Sequence, residues 1–498
     1  MYRIFAVIGP ALLLSAPAYS AGFEYPENGA RALARGGAFV ASGDDPTLIQ
    51  HNPAGLAGLD GLRISLDGQF VWWTTEYQRL VQDNAGDWTA VDPSSGETML
   101  PVGNTRNPWI TPFLAATYQV IDGLTLGLGV YGPSAVGERR YPDPRDIAPF
   151  FWDGEYHEGE EDLDAVQKGI PRRSPQRYGL IRLFNLVFFP TASVGWEPVS
   201  WLRLGVSAQL VSSNMEYSLA FQSDTIATLV GPGPESDVVG ELDVATRSLG
   251  KTAIFGVQAK PIDPLTIGLT FRPPFSLEQE GTFRLYFNDL QRDMGLRQDL
   301  DRAVFKSNFP AVFRLGVAWE QAGWVAEMTG SYETLSVVDV YVFEPDISID
   351  VPLAEPIEVR GEEVLMDKQW EDTFGLRLGG GVDLERAFGL PVPVELFAGY
   401  AFEHAAIPTR TQNLDFFSPT RHQLAFGFSY DTGPARISTS FSQTLEPTVQ
   451  VRDSIVFRVD DASLGLDPDA DLKMVMNGDY QSRHSLFMLS VESRFGAP

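Results

Sequence analysis

Only a few residue patterns in this chain could carry chemistry, and each lacks the context that the chemistry requires. Gly127, Gly129 and Gly132 satisfy the G-x-G-x-x-G spacing of a dinucleotide site, but no strand–helix–strand unit surrounds them to hold a phosphate. The five histidines, His51, His157, His404, His422 and His484, show no metal-ligand spacing and no H-E-x-x-H. A G-x-S-x-G nucleophile elbow is absent from the sequence. Asp467, Asp469 and Asp471 alternate like the opening of a calcium loop, yet Leu472 stands where its glycine belongs and Gly478 where its bidentate glutamate belongs. With no cysteine, neither a disulfide framework nor a thiolate metal site can form. The expectation is a protein that is not an enzyme and that uses no metal and no cofactor.

Binding is the remaining chemistry. Asn52-Pro53-Ala54 reads locally as a turn, since Asn before Pro is a common turn initiator. It lies inside a stretch, Ala21 to Gly61, too broken by Gly, Pro, Asn and Asp for long helices and without a strand-length alternating run. Everything after Gly61 differs. Leu62, Ile64, Leu66, Phe70 and Trp72 point one way while Arg63, Ser65, Asp67 and Gln69 point the other, the period-two pattern of a strand with lipid outside and a polar lumen inside. Trp72, Trp73 and Tyr77 suit an interfacial aromatic girdle near its far end.

Such strands recur to the last residues, centred near Gln69, Ala115, Leu128, Phe188, Ser207, Gly256, Leu269, Arg314, Met328, Leu378, Phe397, Gly427, Ser440 and Leu489, which makes fourteen. Short turns such as Ile121-Asp122-Gly123, Ile262-Asp263-Pro264 and Asp431-Thr432-Gly433 alternate with long loops, and the even count places both termini on the short-turn side. The fold expected is all-β: a transmembrane antiparallel β-barrel of about fourteen strands with an N-terminal plug in the lumen. Mean hydropathy of −0.08 conceals the membrane character, because apolar and polar residues alternate.

In the third strand, outward Leu126, Leu128 and Val130 leave Gly127 and Gly129 facing inward, where they thin the wall, while Pro133 removes a ladder donor; a bend or opening is expected there. Inward Arg272 and Arg314 are candidates for recognising a ligand carboxylate, or equally for neutralising lumen acids.

The N-terminal features, Ala21-Gly22-Phe23, the Asp44-Asp45 pair and Asn52-Pro53-Ala54-Gly55 followed by Leu56 and Leu59, resemble the hatch of the FadL-type outer-membrane transporters. Phe271-Arg272, Gly399-Tyr400-Ala401-Phe402 running toward Pro408, and Tyr131-Gly132-Pro133 extend the resemblance over nearly the whole chain. It implies a fourteen-stranded barrel gated by a hatch, with Phe23, Asn52, Pro53 and Ala54 as hatch residues and a third strand kinked into a side opening at Gly127, Gly129, Gly132 and Pro133. It implies passive uptake of long-chain fatty acids or aromatic hydrocarbons into a Gram-negative cell.

Three regions are expected: residues 1–20 as an export signal, with Arg3, an apolar stretch from Ile4 to Leu14 and small residues at Ala18 and Ser20; residues 21–60 as hatch; and residues 61–498 as barrel. A net charge of −28 argues against nucleic acid as a partner. Outer-membrane lipid and lipopolysaccharide, the barrel-assembly machinery and a hydrophobic small molecule are the partners expected of a monomer. The acidic loop holding Asp153, Glu155, Glu158, Glu160, Glu161, Asp162 and Asp164 reads as solvated charge or as a site for divalent-cation bridging to lipopolysaccharide phosphates. Two other functions remain open: a porin-like channel for small polar solutes, which a forty-residue plug opposes, and a surface adhesin or receptor that uses the long loops.

Overall fold

A computed structural model describes residues 28–91, 96, 98–105, 108–132, 137–142, 174–222, 237–246, 249–351, 356–361, 363–458 and 474–496. The export-signal stretch, Phe23, Pro133, the acidic loop and Asp467 to Asp471 lie outside these residues.

Fourteen strands close into one antiparallel ring: β1 (Leu62–Arg79), β2 (Trp109–Ile121), β3 (Leu124–Tyr131), β4 (Arg182–Val199), β5 (Leu202–Gln222), β6 (Gly250–Ile262), β7 (Leu265–Arg272), β8 (Val312–Gln321), β9 (Trp324–Glu333), β10 (Thr373–Asp383), β11 (Val394–Glu403), β12 (Arg421–Asp431), β13 (Ala435–Leu445) and β14 (Gly478–Phe495). Every strand centre expected from the alternation falls inside one of them. The ring is sealed by β1 against β14, in register from Leu62↔Phe495 to Arg79↔Gly478. Closure leaves no unpaired strand edge in the ring, as a barrel in lipid requires.

The period-two pattern sorts the side chains. Leu66, Leu128, Leu269, Leu315, Met328, Leu424 and Leu489 project from the outer face into an exposed apolar belt, while Ser65, Asp67 and Gln69 are buried inside. At the short-turn ends Trp196, Trp201, Trp319 and Trp324 form an exposed tryptophan girdle. Trp72 is exposed at the opposite end, but Tyr77 is not part of a girdle: it is fully buried and packs on Tyr480 with ring centroids 4.7 Å apart.

The long connections were expected to be loops, and among the described residues they hold four strands of ten residues or more, besides shorter ones. Beyond the ring, the upper part of β5 leaves β6 and pairs with Asp237–Thr246, which is followed in turn by Phe275–Tyr286, Arg297–Phe309 and Val340–Asp350. These build a second tier of sheet on the long-loop side, continuous with the ring through β4 and β5. Their alternation is visible in Phe275, Leu277 and Gln279, but it is mixed with charge because the tier needs only one apolar face.

Candidate functional site

Residues 28–61 sit inside the ring, as two short helices, α1 (Ala30–Ala34) and α2 (Leu48–His51), a 3₁₀ turn (Pro53–Gly58) and the irregular chain between them. Nearly all are buried, so their backbone polar groups need partners other than water. The wall supplies many. The Glu327 carboxylate on β9 accepts the N–H groups of Val40 at 2.8 Å, Ala41 at 3.0 Å and Ser42 at 2.9 Å, and the Ser42 hydroxyl at 2.6 Å, with the Arg35 guanidinium 3.3 Å away. Gln258 on β6 donates to the carbonyls of Val40 and Ala41, both at 3.2 Å.

Asn52 organises the hatch from within. Its amide donates to Val40 O at 2.8 Å and to the wall carbonyl of Val257 at 3.2 Å, and its side-chain oxygen accepts from Ala54 N, capping the 3₁₀ turn in which Pro53 needs no donor. His51 is likewise engaged, Nε2 lying 2.8 Å from Asn28 O and the ring edge-on to Phe39.

Wall glycines form the floors on which this backbone rests. Gly195, Gly205 and Gly256 stand side by side on β4, β5 and β6. A Cβ at Gly205 would lie 2.2 Å from the Pro53 carbonyl carbon, and one at Gly256 2.1 Å from Asn52 Oδ1. The paired Gly379 and Gly399 carry Arg35 and Gly36 in the same way, and the paired Gly268 and Gly316 carry Val40 and Ala41. Only glycine permits so close an approach of backbone to sheet. At the short-turn end the hatch is also tied by charge: Arg31 bonds Asp44 and reaches Glu395 at 3.0 Å, and Asp44 meets Arg436 of β13 at 3.2 Å.

Gly127 and Gly129 do face inward, but the space beside them is filled. A Cβ at Gly129 would lie 2.3 Å from Ile49 Cδ1, and at Gly127 3.2 Å from Ile49 Cγ2. The ladder runs unbroken across both, from Leu124↔Trp196 to Tyr131↔Phe189. Its interruption comes after Tyr131: pairing with β4 resumes at Gly137↔Asn185, so six steps on one chain oppose four on the other. Asn28, at the start of the described hatch, donates to the Gly132 carbonyl at 3.0 Å and to Gln50 at 2.9 Å.

An apolar cluster adjoins this interruption. Leu48, Ile49 and Leu56 of the hatch meet Phe113, Tyr131 and Phe189 of β2, β3 and β4, and Phe275 and Leu277 beyond β7. The rings follow one another at centroid distances of 5.5 Å (Phe113–Tyr131), 5.7 Å (Tyr131–Phe189), 6.5 Å (Phe189–Phe275) and 4.6 Å (Phe275–Phe309). Beside the cluster, the Arg272 guanidinium lies over the Phe275 ring at 5.8 Å; Arg272 and Arg314 flank the buried Glu333, while Arg377 and Arg421 share Glu403 at 2.8 and 2.6 Å. The sequence pointed to Arg272 and Arg314; it did not single out Glu327, Glu333, Glu403 or the glycine floors, although mid-strand glycines recurring from strand to strand were a visible signal.

No protein-family model matches the chain. The Pseudomonas aeruginosa FadL homologue superposes with a TM-score of 0.72 at 16% identity, over 96% of this chain and 100% of that one. Its fold is the FadL-type plugged barrel. The Pseudomonas putida toluene transporter TodX (TM-score 0.60, 16% identity, 96% of this chain and 100% of that one) and the Ralstonia pickettii toluene transporter TbuX (0.58, 13%, 94% and 98%) share the FadL-type fold. A relative from Neisseria meningitidis serogroup B, named "Putative outer membrane protein NMB0088", is 29% identical over 119 residues, and the match spans 24% of each chain. These structural neighbours of the FadL-type barrel are named as transporters rather than enzymes.

Proposed function

We propose that this chain is a Gram-negative outer-membrane transporter that admits hydrophobic small molecules by passive diffusion. The supporting observation is the buried apolar cluster of hatch and wall, Leu48, Ile49, Phe113, Tyr131 and Phe189, beside the interruption of β3 at Gly132. The polar lipopolysaccharide leaflet slows greasy solutes, and an apolar surface offered in steps removes that barrier. Each buried CH₂ is worth ~0.8 kcal/mol, so part of one alkyl chain suffices for micromolar capture.

Residues 1–20 are the export signal, residues 21–60 the hatch and residues 61–498 the barrel. Asn52, Pro53, Ala54 and Phe23 are the gating residues of the hatch. Cargo leaves sideways at the third strand, at Gly127, Gly129, Gly132 and Pro133, without crossing the aqueous periplasm. The substrates in this reading are long-chain fatty acids or monoaromatic hydrocarbons, with Arg272 and Arg314 receiving a carboxylate if the cargo has one. Polar-channel activity is disfavoured by a hatch bonded to several strands of the wall. The test is uptake of radiolabelled oleate and toluene by cells lacking their own such barrel. Accelerated entry of either supports the reading; entry of neither, with the barrel folded in the membrane, rejects it.

A further inference from the structure

The hatch blocks the ring from the short-turn side, and a second segment fills it from the other. Residues 404–420 join β11 to its neighbour β12, so a short turn would have sufficed; instead the chain folds inward, and only Thr409 and Arg410 within it are exposed. Its contacts reach around the ring. The buried Asp415 carboxylate pairs with the buried Lys368 ahead of β10, and the Asp415 main-chain carbonyl accepts from Arg139 of the segment that continues β3. Asn413 donates to Gly179 O at 3.5 Å, in the connection that leads into β4. In a fourteen-strand ring β4 stands seven strands from β11, on the far side. Phe417 stacks on Tyr480 of β14 at 5.8 Å, and Phe416 meets Trp370 at 5.6 Å. With Leu414 and Ile407 these side chains belong to one buried cluster that spans the mouth.

A segment that reaches the wall on opposite sides lies across the axial path. We infer that residues 404–420 are an outer gate in series with the hatch, latched by Asp415 to Lys368 and Arg139. Cargo entering from outside passes only when this segment lifts. The latch suits that role: a buried ion pair adds little net stability while intact, and losing one partner leaves a charge that favours the solvated, open position.

The test uses the full chain, whose lack of cysteine allows single thiols to be read without background. On intact cells, Thr409→Cys should react quickly with an impermeant maleimide and Leu414→Cys slowly. Adding Lys368→Met to Leu414→Cys should raise its labelling rate by at least about tenfold, a lower bound for unbalancing a buried ion pair. A complementary lock pairs Asn413→Cys with Gly179→Cys in a chain that also carries Met476→Ala, which clears the space a Cβ at Gly179 needs. Oxidation should then reduce oleate and toluene uptake, and a reductant should restore it. The proposal is overturned if Lys368→Met leaves Leu414→Cys as protected as before, or if the oxidised pair, verified as cross-linked, admits cargo as fast as the unlocked chain does. These outcomes are separate from the transport reading itself, which fails only if the unlocked chain moves no hydrophobic cargo.

Discussion

The carboxylate of Glu327 holds Ser42 twice, through its backbone N–H at 2.9 Å and its hydroxyl at 2.6 Å. A single inward side chain of β9 thereby gathers the hatch chain from Val40 to Ser42 against the wall. Because each hydrogen bond to a charged group contributes ~1.5–3 kcal/mol and the bonds are not additive, Glu327 should dominate hatch retention. Glu327→Ala is expected to loosen the hatch without unfolding the ring, seen as faster proteolysis at residues 35–50 and greater sensitivity to large antibiotics, with unchanged heat-modifiable gel mobility. Glu327→Gln, which keeps one of the two acceptor oxygens, should show a smaller effect. Equal hatch protection in wild type and Glu327→Ala would contradict this.

The glycine floors predict a positional contrast. Gly205→Val and Gly256→Val place side chains within about van der Waals exclusion of Pro53 and Asn52, so the hatch must rise. Gly330, on β9, has open space beside it and should tolerate Ala. The measurement is again protease protection of the hatch. If all three variants behave alike, the floors do not set hatch position.

Gly129→Trp should cut uptake with normal barrel assembly, because it collides with Ile49 of the hatch and with the apolar cluster beside β3. Adding Ile49→Ala frees part of that volume and should return a fraction of the lost uptake. Full uptake in Gly129→Trp would remove β3 from the cargo route.

Substituting both Arg272 and Arg314 by Met distinguishes cargo recognition from wall chemistry. If they receive a carboxylate, oleate uptake falls several-fold while toluene uptake holds; if they serve only Glu333, both fall together or neither does, with thermal stability of the barrel moving instead.

A thiol at Asp263, in a short turn, should remain unlabelled by an impermeant maleimide on intact cells, whereas one at the exposed Thr409 should react. The reverse result would invert the barrel.

The sequence by itself determined the ring. Side-chain direction in a strand is a local property with a period of two, so the residues of Leu62–Arg79 declare which face is apolar before any partner is known, and tight turns at Ile121-Asp122-Gly123 and Asp431-Thr432-Gly433 order the strands. The hatch was legible in the same way, as chain lacking either period, and Asn52 with Pro53 as its tight turn. What only the tertiary structure decided is which inward groups meet. Glu327 lies 285 residues from Ser42, and Asp415 276 from Arg139, and closure of the ring brings each pair together. Asp67 and Glu327 read alike as inward acids, yet Asp67 bonds the neighbouring Ser490 of the wall and Glu327 the hatch. Tyr77 looked like a girdle residue from its height on the strand, but its odd position puts it on the inward face with Asp67 and Gln69, where it packs on Tyr480. The inward fold of residues 404–420 was hidden for a different reason: a polar connection carries no period, and its burial is set by partners contributed from across the ring.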